Sequence, residues 1–294
     1  MAIRSLEALE KACENKNIYD VILEDDCMER GVTREESEKK MADLYAAMQL
    51  SAQNYTPTLR SASGMAGGDG AKMRSYVKAG KTICGDELGQ VIAQALEMGE
   101  NNACMKCIVA APTAGSCGVM PAVLLPYQKR MGLGDEEMVR ALYIAGAIGQ
   151  AVATKAAIAG GAGVCQYEIG TASAMAAAAL CYLGGGDAEA ICHAAALAIK
   201  SLLGLVCDPI AGLVEVPCIK RNASGAMVAM CCADMALAGI RSAVPPDEVI
   251  MAMKDVGDKM DVSLRETGLG GIAGTPSGVK IADELRLAYC HLNG

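Results

Sequence analysis

Asp135-Glu-Glu-Met138-Val-Arg-Ala-Leu142-Tyr-Ile144-Ala-Gly-Ala-Ile148-Gly-Gln-Ala-Val152-Ala-Thr-Lys155-Ala-Ala-Ile-Ala159 is the stretch on which the fold turns. Asp135 is an N-cap residue type, three acids open the segment, and no proline interrupts it. Met138, Val139, Ala141, Leu142, Ile144 and Ala145 are apolar almost all round, so the expectation is a long central helix ending near Ala159, where Gly160 to Gly163 break it. Ala-rich helices follow near 171–183 and 188–203, the second capped by Asp187, then one near 219–240, one after Pro245-Pro246-Asp247 and a short last one after Pro276.

Upstream, residues 4–52 read as charged helices, with Thr33-Arg-Glu-Glu36 as a capping box. Leu88, Val91, Ile92, Ala95 and Leu96 share one helical face between Glu87 and Met98, and Pro121 is a first-turn proline for a helix running to about Lys129. The Gly/Ser-rich span 53–85 and the Pro/Cys-containing span 204–218 read as irregular loops. With no strand-rich segment and no internal repeat, the expected class is all-α. It is a single domain over residues 1–294, a helical bundle around a buried central helix. Residues 1–52 pack on it as a charged N-terminal segment, and the Gly/Pro-rich loops form the site.

Composition supports this. Hydrophobic residues make up 52% but aromatics only 3%, with no Trp and no Phe, so small side chains fill the core and let helices approach closely. The net charge is −8 without basic runs, which argues against nucleic acid and anionic membrane as partners. The uncharged runs 107–128 and 169–186 are broken by prolines or built of Ala, Gly, Ser and Thr, unlike a lipid-facing helix. Fourteen cysteines in a core-rich chain that opens without a secretory signal imply a reducing cytoplasm and mostly buried structural thiols.

Several motifs are weak. Gly64 to Lys72 lacks P-loop spacing, and Gly80-Lys81-Thr82 has Ser75 where the first glycine belongs; a backbone nest for a small anion is the better reading of the Ser63–Asp69 loop. Cys104-Met-Lys-Cys107 has no second pair for zinc, and the two histidines, His193 and His291, stand in no ligand spacing, which removes Ser-His-Asp and Cys-His catalysis. Cys165, Cys207 and Cys218 differ from the other thiols because each lies beside a Gly/Pro-rich break. Thiolates at helix termini have lowered pKa, and three suit an iron–sulfur cluster with one iron open to substrate, although their separations match no compact ferredoxin run.

At these residues a resemblance emerges. Gly161 to Gly170 around Cys165, Cys207-Asp-Pro-Ile-Ala-Gly212 through Pro217-Cys218-Ile-Lys-Arg-Asn222, and Ala111 to Pro121 resemble the iron–sulfur-dependent L-serine dehydratases, as do Ser63 to Asp69 and Thr267 to Pro276. The chain is most similar to the separate α subunit of their two-subunit form. The resemblance implies an oxygen-sensitive [4Fe-4S] cluster on Cys165, Cys207 and Cys218, no pyridoxal phosphate, and β-elimination of water from L-serine to give pyruvate and ammonia in amino-acid degradation and gluconeogenesis. An open iron would act as Lewis acid on the hydroxyl while a base, unassigned here, takes the α-proton.

Substrate-binding roles fall to Ser63, Gly64, Gly67, Gly68, Asp69, Thr113, Ala114, Gly115 and Asn222, with Lys220 or Arg221 as an alternative source of charge stabilisation. The Ser-Ser-His-Thr-like motif of the family's β part does not occur in this chain, so a separate β subunit and a hetero-oligomer are expected, and Cys290 is not given the terminal-cysteine role of some fused members. A cysteine desulfidase or other small hydroxy-amino acid lyase on the same cluster is the near alternative. A non-catalytic thiol-rich zinc or redox protein using Cys104 and Cys107 is the distant one.

Overall fold

Ser5, Asn17, Thr33 and Asp187 each turn a side-chain oxygen onto a free N–H in the first turn of the helix that follows, and Thr33 with Glu36 completes the expected capping box. In the computed structural model, which describes residues 3–156 and 165–292 with side chains to 288, these caps open four of twelve α-helices. They are α1 Leu6–Ala12, α2 Ile18–Arg30, α3 Arg34–Gln53, α4 Asp69–Lys78, α5 Gly85–Ala103, α6 Val119–Met131, α7 Asp135–Ala156, α8 Cys165–Leu183, α9 Ala188–Ser201, α10 Cys218–Leu237, α11 Pro246–Lys259 and α12 Pro276–Leu292. No strand occurs among the described residues beyond one isolated bridge between Cys207 and Arg265, so the class is all-α. The expected glycine break at Gly160–Gly163, the end of α7 near Ala159 and the side chains of Cys290 and His291 lie outside the described residues.

The helix buried along its length is α8, not α7. From Cys165 to Cys181 every α8 residue but Glu168 is buried, whereas Gly146, Gln150, Ala153 and Thr154 leave one face of α7 exposed. Alanine and glycine made α7 read as apolar all round, yet such small residues can face water at little cost. Around α8 pack α6, α7, α9, α10 and α11. The α8–α10 contact shows why the composition is small. A Cβ on Gly225 would lie 2.7 Å from Ile169 Cγ2 and 2.8 Å from Ser173 Oγ, and Ser173 Oγ donates to the Gly225 carbonyl at 3.0 Å.

Two further expectations shift. The span 53–85 is not wholly irregular: α4 forms inside it, its free first-turn amides satisfied from α5 as described below. The α8 helix is already formed at Cys165 rather than from near 171, because Gln166 N donates to the Leu205 carbonyl at 3.0 Å and the Gln166 amide bridges Gly204 N and the Met253 carbonyl, anchoring this turn. The N-terminal helices dock through Asp247, which accepts from Leu6 N and Glu7 N at 3.0 Å each, and through a 2.6 Å bond between Ser37 Oγ and Tyr143 Oη. No helix among the described residues is long and apolar enough to cross a membrane.

Candidate functional site: a buried three-thiol centre

Three separate segments end at one point. Cys165 is the first described residue of α8, Cys218 the first of α10, and Cys207 lies in the loop between α9 and α10, held by Cys207 N donating to the Leu264 carbonyl at 2.9 Å and Glu266 N to the Cys207 carbonyl at 2.7 Å. All three are buried. Cys207 and Cys218 hydrogen-bond to the Cys165 sulfur, which, together with the positive Arg221, pushes the Cys165 thiol down to about 3. The same contacts, with burial, push Cys207 and Cys218 up. Among the described residues no group of three or more His, Cys, Asp or Glu side chains surrounds a point ready for a metal ion; Cys207 and Cys218 each interact with Cys165 instead.

Arg221 is the cation of the centre. Its Nη1 lies 3.4 Å from Cys165 Sγ and 2.8 Å from the Val206 carbonyl, and Nη2 pairs with Asp208 Oδ1 at 2.8 Å. Asp208 Oδ2 in turn accepts from Ile272 N at 2.7 Å, so the Thr267–Pro276 loop folds over the Cys207 segment. Gly271 permits this: a Cβ there would sit 2.3 Å from Asp208 Oδ2.

Asn222 uses its whole amide on backbone. Its Nδ2 donates to the Gly115 carbonyl at 2.7 Å and the Cys218 carbonyl at 3.0 Å, while Oδ1 accepts from Gly118 N at 2.8 Å. It therefore ties the Thr113–Gly115 loop to Cys218. Thr113 Oγ1 donates to Glu168 Oε2 at 2.9 Å, and a Cβ on Gly115 would lie 2.4 Å from that oxygen, so glycine lets the loop rest on the carboxylate. Burial raises the Glu168 pKa, with further contributions from Cys165 and Glu266 against the lowering Thr113 bond.

The Ser63–Asp69 loop joins from the other side. Ser61 Oγ and Ser63 Oγ both donate to Glu215 Oε2, at 2.7 and 2.6 Å, three residues before Cys218. Gly67, at φ +124°, leaves no room for a side chain, since a Cβ would meet the Leu59 carbonyl at 2.2 Å. Gly68, also left-handed, precedes α4, and Gly64 closes the turn by donating to the Ser61 carbonyl at 2.9 Å. The expected anion nest is filled from inside the protein: Glu100 accepts from Asp69 N at 2.6 Å, from Gly70 N at 3.3 Å and from Tyr55 Oη at 2.6 Å. Asp69 itself faces Lys220 at 2.8 Å and Lys72 at 2.9 Å, both of which hold its carboxyl below the ordinary range.

The sequence reading thus named residues on each loop that the structure brings toward Cys218, but it missed the carboxylates that hold them. Glu168, one turn along α8 from Cys165, was detectable from helical spacing; Glu215, Asp208 and Glu100 were not. Elsewhere, His193 Nδ1 accepts from Ser242 N at 3.0 Å, a satisfied but only half-buried histidine, and Cys107 is exposed beside a half-buried Cys104.

A helical protein that gathers two helix-borne thiols, one loop-borne thiol and an arginine beside two core helices is built around a buried sulfur centre. Residues 13–273 match the family described as serine dehydratase alpha chain. The chain is 43% identical over 284 residues to the probable L-serine dehydratase, alpha chain, of Bacillus subtilis (strain 168), covering 96% of this chain and 95% of that one. It is 46% identical over 265 residues to the L-serine dehydratase, alpha chain, of Peptoniphilus asaccharolyticus, covering 90% and 91%. To the L-serine dehydratase TdcG of Escherichia coli (strain K12) it is 44% identical over 183 residues, 61% of this chain and 40% of that one. The chain belongs to the serine dehydratase alpha chain family.

Proposed function

We propose that this chain is the α subunit of an L-serine dehydratase, eliminating the β-hydroxyl of L-serine as water and yielding pyruvate and ammonia. The observation that carries the reading is the convergence of Cys165, Cys207 and Cys218 from three segments onto one buried point, in a chain of this family. Their donor set fits a [4Fe-4S] cluster: three soft sulfur ligands, with Arg221 alongside to offset anionic charge. When bound there, the cluster supplies a Lewis-acidic iron that polarises the substrate hydroxyl. Pyridoxal phosphate has no part in this reading.

The protein's own groups do the rest. Asn222 holds the Thr113–Gly115 loop against Cys218, and Glu215 holds Ser63 beside the same turn, so both loops assigned to serine binding are kept at the turn that carries Cys218. Arg221 stabilises negative charge on the sulfurs and on the substrate side. A separate β subunit completes the enzyme, in a cytoplasmic hetero-oligomer. The relatives named alpha chain are matched over nearly their whole length, whereas the Escherichia coli protein is matched over only 40% of its own.

Anaerobic purification with iron and sulfide counting, combined with a serine-to-pyruvate assay with and without the β chain, tests this. Cys165→Ser, Cys207→Ser and Cys218→Ser are each expected to lose iron and turnover, while Cys181→Ser and Cys232→Ser keep both. Equal tolerance at all five positions, or a colourless zinc protein, overturns the reading.

A further inference from the structure

Between α3, α4, α5 and α6 lies a cleft of about 740 Å³, a volume typical of small-molecule sites. None of its lining residues belongs to the thiol centre. Gln94 lines it from α5, is 8% exposed, and its Nε2 has no hydrogen-bond partner. An interior amide donor left unpaired in this way is unfavourable unless something else supplies the acceptor.

The other polar groups of the cleft sort into used and unused. Arg74 donates to both Glu97 oxygens and to Gln90 Oε1. Arg130 pairs with Glu87. Gln49 Nε2 and Gln128 Nε2 are spent on Asp135 Oδ1, at 3.1 and 2.8 Å. The bond from Arg74 fixes the oxygen of the Gln90 amide and leaves its Nε2 as a donor, and Lys129 makes no ion pair among the described residues. Gln94 Nε2, Gln90 Nε2 and the Lys129 ammonium are uncommitted donors, one of them cationic, beside the exposed amide of Gln53.

We propose that this cleft is a second binding site, for a small carboxylic acid, separate from the three-thiol centre. The carboxylate meets Lys129 and an acceptor oxygen of the ligand meets the Gln94 amide. The proposal stands apart from the dehydratase reading, because no group it uses is a cysteine or a residue assigned to serine.

Isothermal titration of the purified chain with pyruvate, L-alanine and succinate as probes tests it. At least one probe is expected to bind at one site per chain, with Gln94→Leu weakening it roughly tenfold, the loss of one well-made hydrogen bond to a charged group. Lys129→Met is expected to weaken it as well. Unliganded Gln94→Leu should melt no lower than the parent protein, because it removes an unpaired donor. Binding of the same probe should survive in Cys218→Ser. Absence of binding by all three probes up to roughly 10 mM overturns the proposal. So does binding that neither cleft variant changes, binding abolished by Cys218→Ser, or a lowered melting temperature for Gln94→Leu with affinity intact.

Discussion

Arg221 Nη1 lies 3.4 Å from Cys165 Sγ, and the same guanidinium pairs with Asp208 at 2.8 Å. One side chain in the first turn of α10 thus spans the start of α8 and the loop carrying Cys207. A planar fork with five donors can serve a sulfur, a carbonyl and a carboxylate together; an ammonium cannot.

Arg221→Met is therefore expected to strand the buried Asp208 carboxylate, at a cost of about 3–5 kcal/mol measured by urea unfolding. Arg221→Lys keeps the charge but not the fork, and should fall between the two. A Met variant as stable as the parent protein would show that the pair holds nothing together.

Glu168 sets a pH dependence. Its folded-state pKa is raised above the ordinary 4.5, chiefly by burial, so the folded state disfavours its charged form. Its contribution to stability is complete below that ordinary value and is lost as pH rises through the raised folded value. Glu168→Gln should consequently gain stability relative to the parent protein as pH climbs through that window, with no gain below it. Thermal melts of both proteins across mildly acidic to neutral pH check the sign.

Ser61 and Ser63 share one acceptor oxygen of Glu215, a residue only 6% exposed. Either alanine substitution leaves the other hydroxyl in place, so each single change should cost roughly 1 kcal/mol. The double variant strips Glu215 Oε2 of both hydroxyls and should cost more than the two singles summed. A double-mutant cycle by chemical denaturation reads the coupling, and simple additivity would contradict it.

Glu100 caps α4 from a different helix. Glu100→Gln keeps an acceptor for Tyr55 and Asp69 but removes negative charge from the helix N-terminus, and should cost about 0.5–2 kcal/mol. Because α4 begins where the Ser63–Asp69 loop ends, the same variant is expected to raise KM for L-serine more than it lowers kcat. Equal effects on both would place the loop outside substrate binding.

The caps at Thr33 and Asp187, the proline start of α11 and the helix over Glu87–Met98 were legible because each depends on neighbours in sequence. The α4 helix was hidden inside a Gly/Ser-rich span because the group that satisfies its first turn, Glu100, comes from 31 residues away. The identity of the central helix was hidden for a related reason. Periodicity reports which residues are apolar, and α7 and α8 are both rich in alanine, so only packing on every side separates them.

By itself the sequence determined the helical class, several helix ends and the three cysteines that stand beside breaks in the chain, since capping, proline and glycine act over a few residues. Tertiary structure alone decided that those sulfurs meet, that Arg221 is the cation among them, and that Glu168, Glu215 and Glu100 hold the loops in place. Those contacts join segments tens to more than a hundred residues apart, and a hydrogen bond of that kind exists only once the helices carrying its partners have packed.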